Sequence, residues 1–476
     1  MTREIEVRNP RTGQTDYVIK APEDTELAET ARTMRAAQQS WQALGAVGRG
    51  EILARWSASL ATAPGPVLAA LGADTGRHLI ATSELFSVPG MVERWQAAAP
   101  ALLDESAERD SATPGVGVRD SWVPFGLVGV ISPWNFPLLL SMIDAIPALA
   151  AGCAVLVKPS EVTPRFVEPL MASIAQFPEL AAVFRFVTGD GATGAALIEN
   201  VDAIAFTGSV KTGRLVAEAC ARRFIPAFLE LGGKDPCIVL ESADSVEAAR
   251  IVLRASVQAT GQACQSLERV YVHRSLYEDF ISSLTEQAQA LELNYPDMHA
   301  GHIGPLIFAR QADIISEHLE DARQKGARVL CGGEIENHGG GLWVRPTVVV
   351  DVDHSMQLMQ DETFGPVIPV MAYDDVDEAV RLANDSAYGL SAGVLGDEAA
   401  ADQVARRLNA GAVSINDGAM TTEVHDATHD AFGYSGMGVS RMGPSGLMRY
   451  LKRRALLIRR GEARGMDSLD ERHSAA

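Results

Sequence analysis

The sequence has no surplus of basic residues. Its 476 residues include 41 Lys and Arg against 61 Asp and Glu, which gives a formal net charge of −20. Nucleic acids and anionic membranes attract basic patches, so this balance predicts no nucleic-acid partner and no membrane partner. We interpret the acidic excess as a solvated surface.

Cysteines and long apolar runs are also scarce. The five cysteines are an odd number without a CxxC pair, which argues against a disulfide framework and favours a reducing compartment. The longest apolar stretch, residues 145–157, contains Pro147 and Gly152 and is too short to cross a bilayer. The first residues, MTREIEVRNPRTG, contain no apolar segment of the secretory type. We therefore expect a cytoplasmic protein.

Two common nucleotide-binding motifs are missing as well. FTGSVKTG (206–213) ends a predicted strand and opens a predicted helix, but it does not read GxGxxG. It is not a P-loop either, because Arg214 stands where that motif needs lysine. Gly208 and Gly213 allow close backbone approach, and a helix N-terminus favours phosphate. From these residues alone, a phosphate site and a plain tight turn both remain open.

The chain does contain a regular alternation of strands and helices. The pattern over 24–61 is helical, and from Val128 onward the apolar runs VGVIS, AVLVK, FRFVTG, AIAFTG and AFLEL alternate with helix-forming segments. A second alternation runs from DPCIVL (235–240) to GAVSIN (411–416). This rhythm predicts two α/β units, each with a parallel sheet covered on both faces, and a cleft between them. The polar stretch 106–122 predicts a hairpin or an arm.

Polar residues at the predicted strand ends are the first candidates for chemistry. Lys158 and Glu161 follow the strand AVLV, where α/β sheets bind ligands, and a carboxylate there can accept ribose hydroxyls and repel a 2′-phosphate. A solvated loop is the alternative for this pair. Glu230 ends an apolar strand and is followed by two glycines. It is a candidate general base, with an N-cap or turn carboxylate as the alternative.

The cysteine and histidine side chains include one candidate nucleophile, whose role the residues alone leave open, and several weak candidates for catalysis or metal binding. Cys264, in GQACQSLERV, is either a small core residue or a thiolate nucleophile. The other four cysteines lie in apolar contexts and are predicted to be inert core residues: Cys153, Cys220, Cys237 and Cys331. His425 and His429 could chelate a metal if they were helical, but their segment reads as a loop without a third ligand. We predict no metal site.

Taken in order, six motifs closely resemble the motif series of the aldehyde dehydrogenase superfamily. They are SPWNFP (132–137), KPSEVTP (158–164), FTGS (206–209), LELGGK (229–234), GQAC (261–264) and ETFGPV (362–367). The resemblance covers about residues 25–445, and Glu230 precedes Cys264 by the 34 residues that are typical of that family. It implies two doubly wound α/β domains, for the cofactor and for catalysis, with a small β oligomerisation arm.

The resemblance also implies the catalytic roles. Cys264 is expected to attack the aldehyde carbon, and the Asn135 amide and the Cys264 N–H to hold the oxyanion. Oxidation then leaves a thioester, and Glu230 is expected to activate the water that hydrolyses it.

The same resemblance assigns residues to the cofactor and the substrate. The expected cofactor is NAD, with NADP possible, because Glu161 favours NAD moderately. The implied cofactor residues are Trp134, Lys158, Glu161, Gly208, Ser209, Leu231, Glu362 and Phe364. Leu140 and Ile143, one helical turn beyond Asn135, are expected to form an apolar substrate funnel, with Gln265 beside the thiol.

Two segments depart from the family pattern. Cys153 stands where the family commonly has asparagine, and AFGYSGMGVSRMG (431–443) replaces the usual PFGGxK segment. Because the second of these segments shapes the aldehyde entrance in the family, the substrate preference of this chain does not follow from that of known members.

The sequence therefore predicts an NAD-dependent, non-acylating aldehyde dehydrogenase that oxidises a hydrophobic aliphatic or aromatic aldehyde. The alternatives are a polar semialdehyde or betaine-type enzyme, and a coenzyme A-acylating member, which Glu230 disfavours. A non-catalytic structural or binding paralogue is a further alternative. Its signature would be loss of Cys264, Glu230 or Asn135, and all three are present.

The expected organisation follows the same resemblance. We predict a cofactor domain (1–105 and 125–232), a catalytic domain (233–445), an oligomerisation arm (106–124 and 446–462) and a polar tail (463–476). Because such arms pair strands across subunits, a homodimer or homotetramer is expected.

Overall fold

The backbone forms two open, mostly parallel sheets in the computed structural model of the chain, which describes residues 3–471. The strands are β1 (Arg3–Arg8), β2 (Thr15–Ala21), β3 (Arg109–Asp110), β4 (Val116–Pro124), β5 (Leu127–Ile131), β6 (Ala154–Lys158), β7 (Phe184–Phe186), β8 (Ala203–Thr207), β9 (Ala227–Glu230), β10 (Asp235–Val239), β11 (Leu267–His273), β12 (Arg328–Cys331), β13 (Ile335–His338), β14 (Gly341–Val344), β15 (Thr347–Val350), β16 (Val367–Tyr373), β17 (Ser391–Leu395), β18 (Ala412–Ile415), β19 (Gly436–Met437) and β20 (Leu451–Arg459). The helices are α1 (Asp24–Ala43), α2 (Gly45–Thr62), α3 (Gly65–Thr75), α4 (His78–Leu102), α5 (Pro137–Ala151), α6 (Val167–Ile174), α7 (Pro178–Ala181), α8 (Gly191–Ile198), α9 (Val210–Arg223), α10 (Ser245–Val257), α11 (Tyr277–Gln289), α12 (Arg310–Gln324), α13 (Gln357–Gln360), α14 (Val376–Asn384), α15 (Glu398–Ala405) and α16 (Ser445–Met448).

The first sheet has the strand order β19-β9-β8-β5-β6-β7. Its five strands from β5 to β9 are parallel, and the short β19 pairs antiparallel with β9 at the edge. Every residue of β5, β6 and β8 is buried, as the uninterrupted apolar runs predict for strands covered by helices on both faces. This doubly wound arrangement confirms the prediction for the first half of the chain.

The second sheet has the order β12-β15-β16-β11-β10-β17-β18, with only β12 antiparallel to its neighbour. Successive residues of β10 alternate between two apolar clusters, with Ile238 in one and Cys237 and Val239 in the other. A period of two places neighbouring side chains on opposite faces, so both faces of this sheet are buried. The predicted second α/β unit is thus confirmed. The strands β15 and β16 were not predicted from the sequence.

A three-stranded antiparallel sheet, ordered β20-β4-β3, stands apart from the two large ones. Strand β20 pairs with β4 from Leu451↔Pro124 to Arg459↔Val116. The polar stretch 106–122 does form a hairpin, since β3 pairs antiparallel with β4. The sheet matches the position of the predicted arm. Its role in assembly and the domain boundaries stay predictions.

The helical pattern predicted over 24–61 corresponds to two helices, α1 and α2, because the chain turns at Gly45 in a left-handed conformation (φ 70°) that glycine adopts without strain. The predicted core cysteines include one exception: Cys331 on the edge strand β12 is half-buried, whereas Cys153, Cys220 and Cys237 are buried. An edge strand covers its residues less completely than a central one.

The described part of the chain contains no helix that is long and apolar enough to span a membrane. The predicted polar tail is described as far as residue 471, where a short 3-10 turn spans Met466–Leu469. Residues 472–476 of that tail lie outside the described residues.

Candidate active site

The carboxyl ends of β5 and β8 mark the point where the chain crosses from one half of the first sheet to the other. From β5 the chain runs outward to β6 and β7, and it returns on the other side at β8. Ligands of open α/β sheets bind at such a crossing. SPWNFP (132–137) follows β5 and FTGS (206–209) begins within β8. Both motifs therefore lie where this architecture offers a binding cleft.

The glycines of LELGGK let three separate loops approach one another. A Cβ at Gly232 would collide with the Glu362 carboxylate. A Cβ at Gly233 would lie 2.8 Å from the backbone oxygen of Cys264. Both gaps are too small for any side chain, so the two glycines are what bring the LELGGK, GQAC and ETFGPV motifs into contact. A fourth motif joins them, because the Gly208 N–H donates to the Glu230 carbonyl at 3.2 Å.

Cys264 lies in a turn whose backbone is unusual. Ala259, Thr260 and Gly261 all have left-handed φ values of 55°, 62° and 67°. Such conformations persist in side-chain-bearing residues only where the surroundings fix them. Here the Thr260 hydroxyl exchanges hydrogen bonds with the backbone of Gly304 at 3.0 and 3.1 Å. The loop that carries the cysteine is therefore held rigidly.

The Cys264 thiol is half-buried and surrounded by carboxylates. Burial raises its pKa above the ordinary value, Glu230 and Glu362 raise it further, and the nearby Arg441 guanidinium opposes them. A thiolate attacks and a thiol does not, so the Cys264 thiol must lose its proton before it can react. Glu230 is close enough to act on the thiol electrostatically.

Asn135 presents its side-chain amide to the cysteine loop. Its Nδ2 donates to the backbone oxygen of Gln262 at 2.9 Å, and the side chain is buried. An amide carries two N–H groups, so one remains for an oxyanion. Within residues 3–471 the Cys264 N–H donates to no protein acceptor. The two predicted oxyanion donors therefore lie in one place with free donor capacity.

Glu362 and Phe364 belong to a turn that is clamped from the catalytic side. The Glu268 carboxylate accepts from the N–H groups of Thr363 and Phe364 at 2.7 Å each, and the buried Lys234 ammonium lies 2.6 Å from Glu268. The clamp supports Phe364 in a left-handed conformation (φ 54°). Glu362 accepts from the Gly233 N–H at 3.1 Å, and burial together with Glu268 raises the pKa of Glu362 to about 8.

The predicted cofactor residues lie along the same cleft. Trp134 packs against Phe364 in an edge-to-face arrangement, with ring centroids 5.4 Å apart. Its carbonyl accepts from the Thr163 hydroxyl at 3.1 Å, which ties it to the KPSEVTP segment. In that segment the Lys158 ammonium lies 3.1 Å from the Glu161 carboxylate.

The cleft has the donor and acceptor groups that a dinucleotide needs. Glu161 is 39% exposed at its side chain, so its carboxylate can accept hydroxyls. Ser209 caps α9 by accepting from the Thr212 N–H, which leaves the first N–H groups of the helix for an anion. Leu231 packs closely against the backbone of Gly213, since a Cβ at Gly213 would lie 2.5 Å from the Leu231 side chain. These residues fit a nicotinamide dinucleotide, with a hydroxyl acceptor at one end and a pyrophosphate site at the helix.

The predicted substrate residues are more enclosed. Leu140 and Ile143 on α5 are 9% and 5% exposed and pack in the core of the first half, and Gln265 beside the thiol is buried. Their place in a substrate funnel stays a prediction. The segment with His425 and His429 is not helical, and no group of three or more metal-ligating side chains occurs among the described residues.

Several polar residues at the site were not identified from the sequence. Arg77 donates to the backbone oxygens of Asn135 and Ala259 and so ties the oxyanion segment to the cysteine loop. Arg441 forms an ion pair with Glu230, with Nε and Oε2 2.8 Å apart. Arg441 lies within the atypical segment 431–443, and a short Gly- and Ser-rich stretch gives no signal that one of its residues reaches a strand end 211 positions earlier.

Comparison with known proteins agrees with this site. The sequence profile of the aldehyde dehydrogenase family matches residues 1–456. A solved structure of PutA from Anabaena variabilis, named as an aldehyde dehydrogenase, superposes with a TM-score of 0.95 at 52% identity and covers 97% of this chain and 99% of that one.

Two curated relatives carry different substrate names. A protein of Mycolicibacterium smegmatis named as a succinate-semialdehyde dehydrogenase (NADP+) is 35% identical over 92% of this chain and 86% of its own length. The 4,4′-diapolycopene aldehyde oxidase of a Methylomonas species is 39% identical over 70% of this chain and 63% of its own length.

The profile match over nearly the whole chain and the shared fold agree with the motifs that converge on Cys264. The chain belongs to the aldehyde dehydrogenase family and is an oxidoreductase that acts on aldehydes with NAD or NADP.

Proposed function

We propose that Cys264, Glu230 and Asn135 together oxidise an uncharged, hydrophobic aldehyde to its carboxylic acid. The observation that carries this proposal is the convergence of the three motifs at Gly232 and Gly233. There the absence of two side chains lets the cysteine loop and the Glu362 turn meet the end of β9. The nucleophile and the carboxylate of this proposal thus lie on loops that contact each other, and the Asn135 amide donates to the cysteine loop at Gln262, an arrangement that suits acyl chemistry.

The chemistry proceeds in two halves. The Cys264 thiol gives its proton to solvent, and the thiolate adds to the aldehyde carbon to form a thiohemiacetal. The Asn135 amide and the Cys264 N–H stabilise its oxyanion, and preorganised donors of this kind contribute about 3–4 kcal/mol each. NAD, when bound in the cleft, supplies the hydride acceptor. The second half hydrolyses the resulting thioester, as Glu230 takes a proton from the attacking water.

The charges around the site favour an uncharged substrate. A semialdehyde with a carboxylate tail needs a cation to pair with, but the arginines beside the site are already engaged. Arg441 pairs with Asp144 and Glu230, Arg449 pairs with Asp144, and Arg77 donates to two backbone carbonyls. Taking a further carboxylate into a site without a free cation costs desolvation energy. The diapolycopene aldehyde oxidase among the relatives is the named precedent for an apolar substrate.

We expect kcat/KM to rise along a series of straight-chain aldehydes. Each buried CH₂ contributes about 0.8 kcal/mol, so kcat/KM should increase by roughly 3–4-fold per CH₂ until the funnel is full. A matched pair isolates the charge: succinate semialdehyde and its methyl ester, methyl 4-oxobutanoate. We expect kcat/KM for the ester to exceed that for succinate semialdehyde by at least about 10-fold. The absorbance of NADH measures both rates. A higher kcat/KM for the charged semialdehyde would support the polar alternative and refute this one.

Glu161 predicts a preference for NAD over NADP. Its carboxylate accepts ribose hydroxyls and repels a 2′-phosphate, so kcat/KM should be at least ~10-fold higher with NAD, or about 1.4 kcal/mol. Glu161→Gln should raise kcat/KM for NADP and lower it for NAD. Glu179→Gln, an exposed carboxylate on α7, serves as the control and should change neither. Equal efficiency of the wild-type protein with both cofactors would overturn this role of Glu161.

The three-stranded sheet supports assembly into a homodimer or homotetramer. Strand β20 is an edge strand, and its Leu457 is 72% exposed. An unpaired strand edge is an association surface that a strand of a partner subunit can cover. Light scattering of the full chain measures the assembly, and a monomer would contradict the proposed dimer or tetramer.

All five cysteines are free thiols, which supports a cytoplasmic location.

A further inference from the structure

The Glu230 carboxylate has a partner that its proposed role in hydrolysis does not explain. The Nε of Arg441 lies 2.8 Å from its Oε2, and the Arg441 side chain is 2% exposed against 18% for Glu230. The pair is a close ion contact and not an aligned hydrogen bond, because Arg441 Nε has no acceptor in hydrogen-bonding geometry. A fully buried cation beside a general base is expensive to maintain, which suggests a use.

Arg441 is fixed from its other end. Its Nη2 lies 3.3 Å from an oxygen of the Asp144 carboxylate and also contacts the Thr207 hydroxyl at the end of β8. Arg449 pairs with the second oxygen of Asp144 and donates to the Tyr450 hydroxyl at 2.7 Å. The guanidinium of Arg441 thus spans a buried anion on one side and Glu230 on the other.

The backbone around Arg441 is tied to Glu230 as well. Strand β19 pairs with β9 so that Gly436 lies opposite Glu230, and the Leu231 N–H donates to the Ser435 carbonyl at 2.8 Å. One segment, residues 435–441, therefore holds Glu230 by its main chain and by its carboxylate. This segment is part of the stretch in which the sequence departs from the family pattern.

We propose that Arg441 is a positioning residue for the general base. Its guanidinium bridges Asp144 and Thr207 to Glu230 and keeps the Glu230 carboxylate aimed at the Cys264 thioester while water attacks. This inference rests on the proposed function of Glu230. The carboxylates that face Arg441 are Asp144 and Glu230, with the Tyr450 hydroxyl and the Cys264 thiol beside them. Removal of Arg441 therefore takes away the cation that pairs with Glu230.

A small pocket adjoins the ion pair, and its lining includes Glu230, Arg441, Ser440, His429 and Met437. Truncation of Arg441 to alanine would add the space of its own guanidinium group to this pocket, and a guanidinium ion has the size of the group removed. The site of a truncated Arg441 can therefore be refilled from solution, which provides a direct test.

The test separates oxidation from hydrolysis in Arg441→Ala. We expect a burst close to one NADH per active site, followed by a steady-state kcat lowered about 10²-fold, the cost of a misplaced catalytic group. Millimolar guanidinium should restore at least a tenth of the lost turnover, and sodium at equal ionic strength should not. Arg35→Ala is the matched control, because Arg35 is a partly buried arginine that pairs with Asp202 and contacts neither Glu230 nor Asp144. Its kcat should stay within about 3-fold of wild type.

Two results would overturn the proposal. One is the loss of burst and turnover to the same extent in Arg441→Ala without guanidinium rescue, while Arg35→Ala keeps both, which indicates a structural role for Arg441. The other is wild-type kcat in Arg441→Ala. If that variant does not fold, Arg441→Lys decides: one ammonium cannot reach Glu230, Asp144 and Thr207 together, so kcat should fall about 10-fold with the burst intact. A wild-type kcat in Arg441→Lys would contradict the bridging role.

Failure of the proposed function would be visible elsewhere. If Glu230 is not the hydrolytic base, the Glu230→Gln variant turns over normally whatever the Arg441 variants do. If only the positioning role is wrong, Glu230→Gln stalls and Arg441→Ala does not.

Discussion

Replacing Cys264 with alanine is expected to lower kcat for aldehyde oxidation by at least ~10⁴-fold, because no covalent intermediate can form without the sulfur. The aldehyde must become a thiohemiacetal before hydride can leave its carbon, and alanine offers no nucleophile. NAD binding should be unchanged, since the predicted cofactor residues lie on SPWNFP, KPSEVTP, FTGS, LELGGK and ETFGPV and none lies on GQAC. NADH absorbance measures the first effect and calorimetric titration with NAD the second.

Cys331→Ala is the matched control for that loss. Cys331 is the other half-buried cysteine, and its thiol contacts the Pro346 carbonyl on the edge of the second sheet. Its replacement should leave kcat within about 2-fold of wild type, as expected for a substitution that leaves the reacting groups in place. Substantial NADH formation by the Cys264→Ala variant would contradict the role of Cys264 as the nucleophile.

Glu230→Gln is expected to have the second largest effect, and on a different step. Glutamine cannot accept a proton from water, so hydrolysis of the thioester should slow by about 10²–10⁴-fold. Thioester formation needs only one turnover of Cys264, so a burst of NADH equal to the number of active sites should remain. Stopped-flow absorbance resolves the burst from the steady state.

An exposed carboxylate provides the control for the charge change. Glu218→Gln lies on the outer face of α9 and should have wild-type kinetics. A Glu230→Gln variant with neither burst nor turnover would assign Glu230 to the activation of Cys264, because the first half-reaction would then depend on it. Normal turnover would exclude Glu230 as the base for either step.

The parallel-sheet strands of the first half could be predicted from the sequence because each is an uninterrupted apolar run. Strands β5, β6 and β8 are buried on both faces, so their positions are apolar or small apart from Lys158 and Thr207, which end β6 and β8. Strand β19 could not be predicted. It consists of Gly436 and Met437, and it exists only because β9 offers an unpaired edge beside it.

The convergence of motifs follows a similar division. Cys264, Glu230 and Asn135 could be identified because each lies in a short motif of the family series, and the structure brings those motifs together. Arg441 and Asp144 carry no such local signal. A buried arginine is informative only through its partners, and these lie on α5 and at the end of β9, far away in the sequence.

The apolar funnel illustrates a third case. Leu140 and Ile143 were placed there from their spacing after Asn135, and both lie on the buried face of α5. Burial alone does not distinguish a side chain that packs in the core from one that lines a closed tunnel. The aldehyde series described above is what separates the two.

The central claim is that Cys264 carries the acyl group between oxidation and hydrolysis. It is tested most directly by mass spectrometry of Glu230→Gln, quenched with acid after a brief reaction with NAD and aldehyde. We expect the mass of the intact protein to increase by the mass of the aldehyde less two hydrogen atoms, and we expect peptide mapping to place this increase on Cys264. An unmodified Cys264 in protein that has released one NADH per site would contradict it.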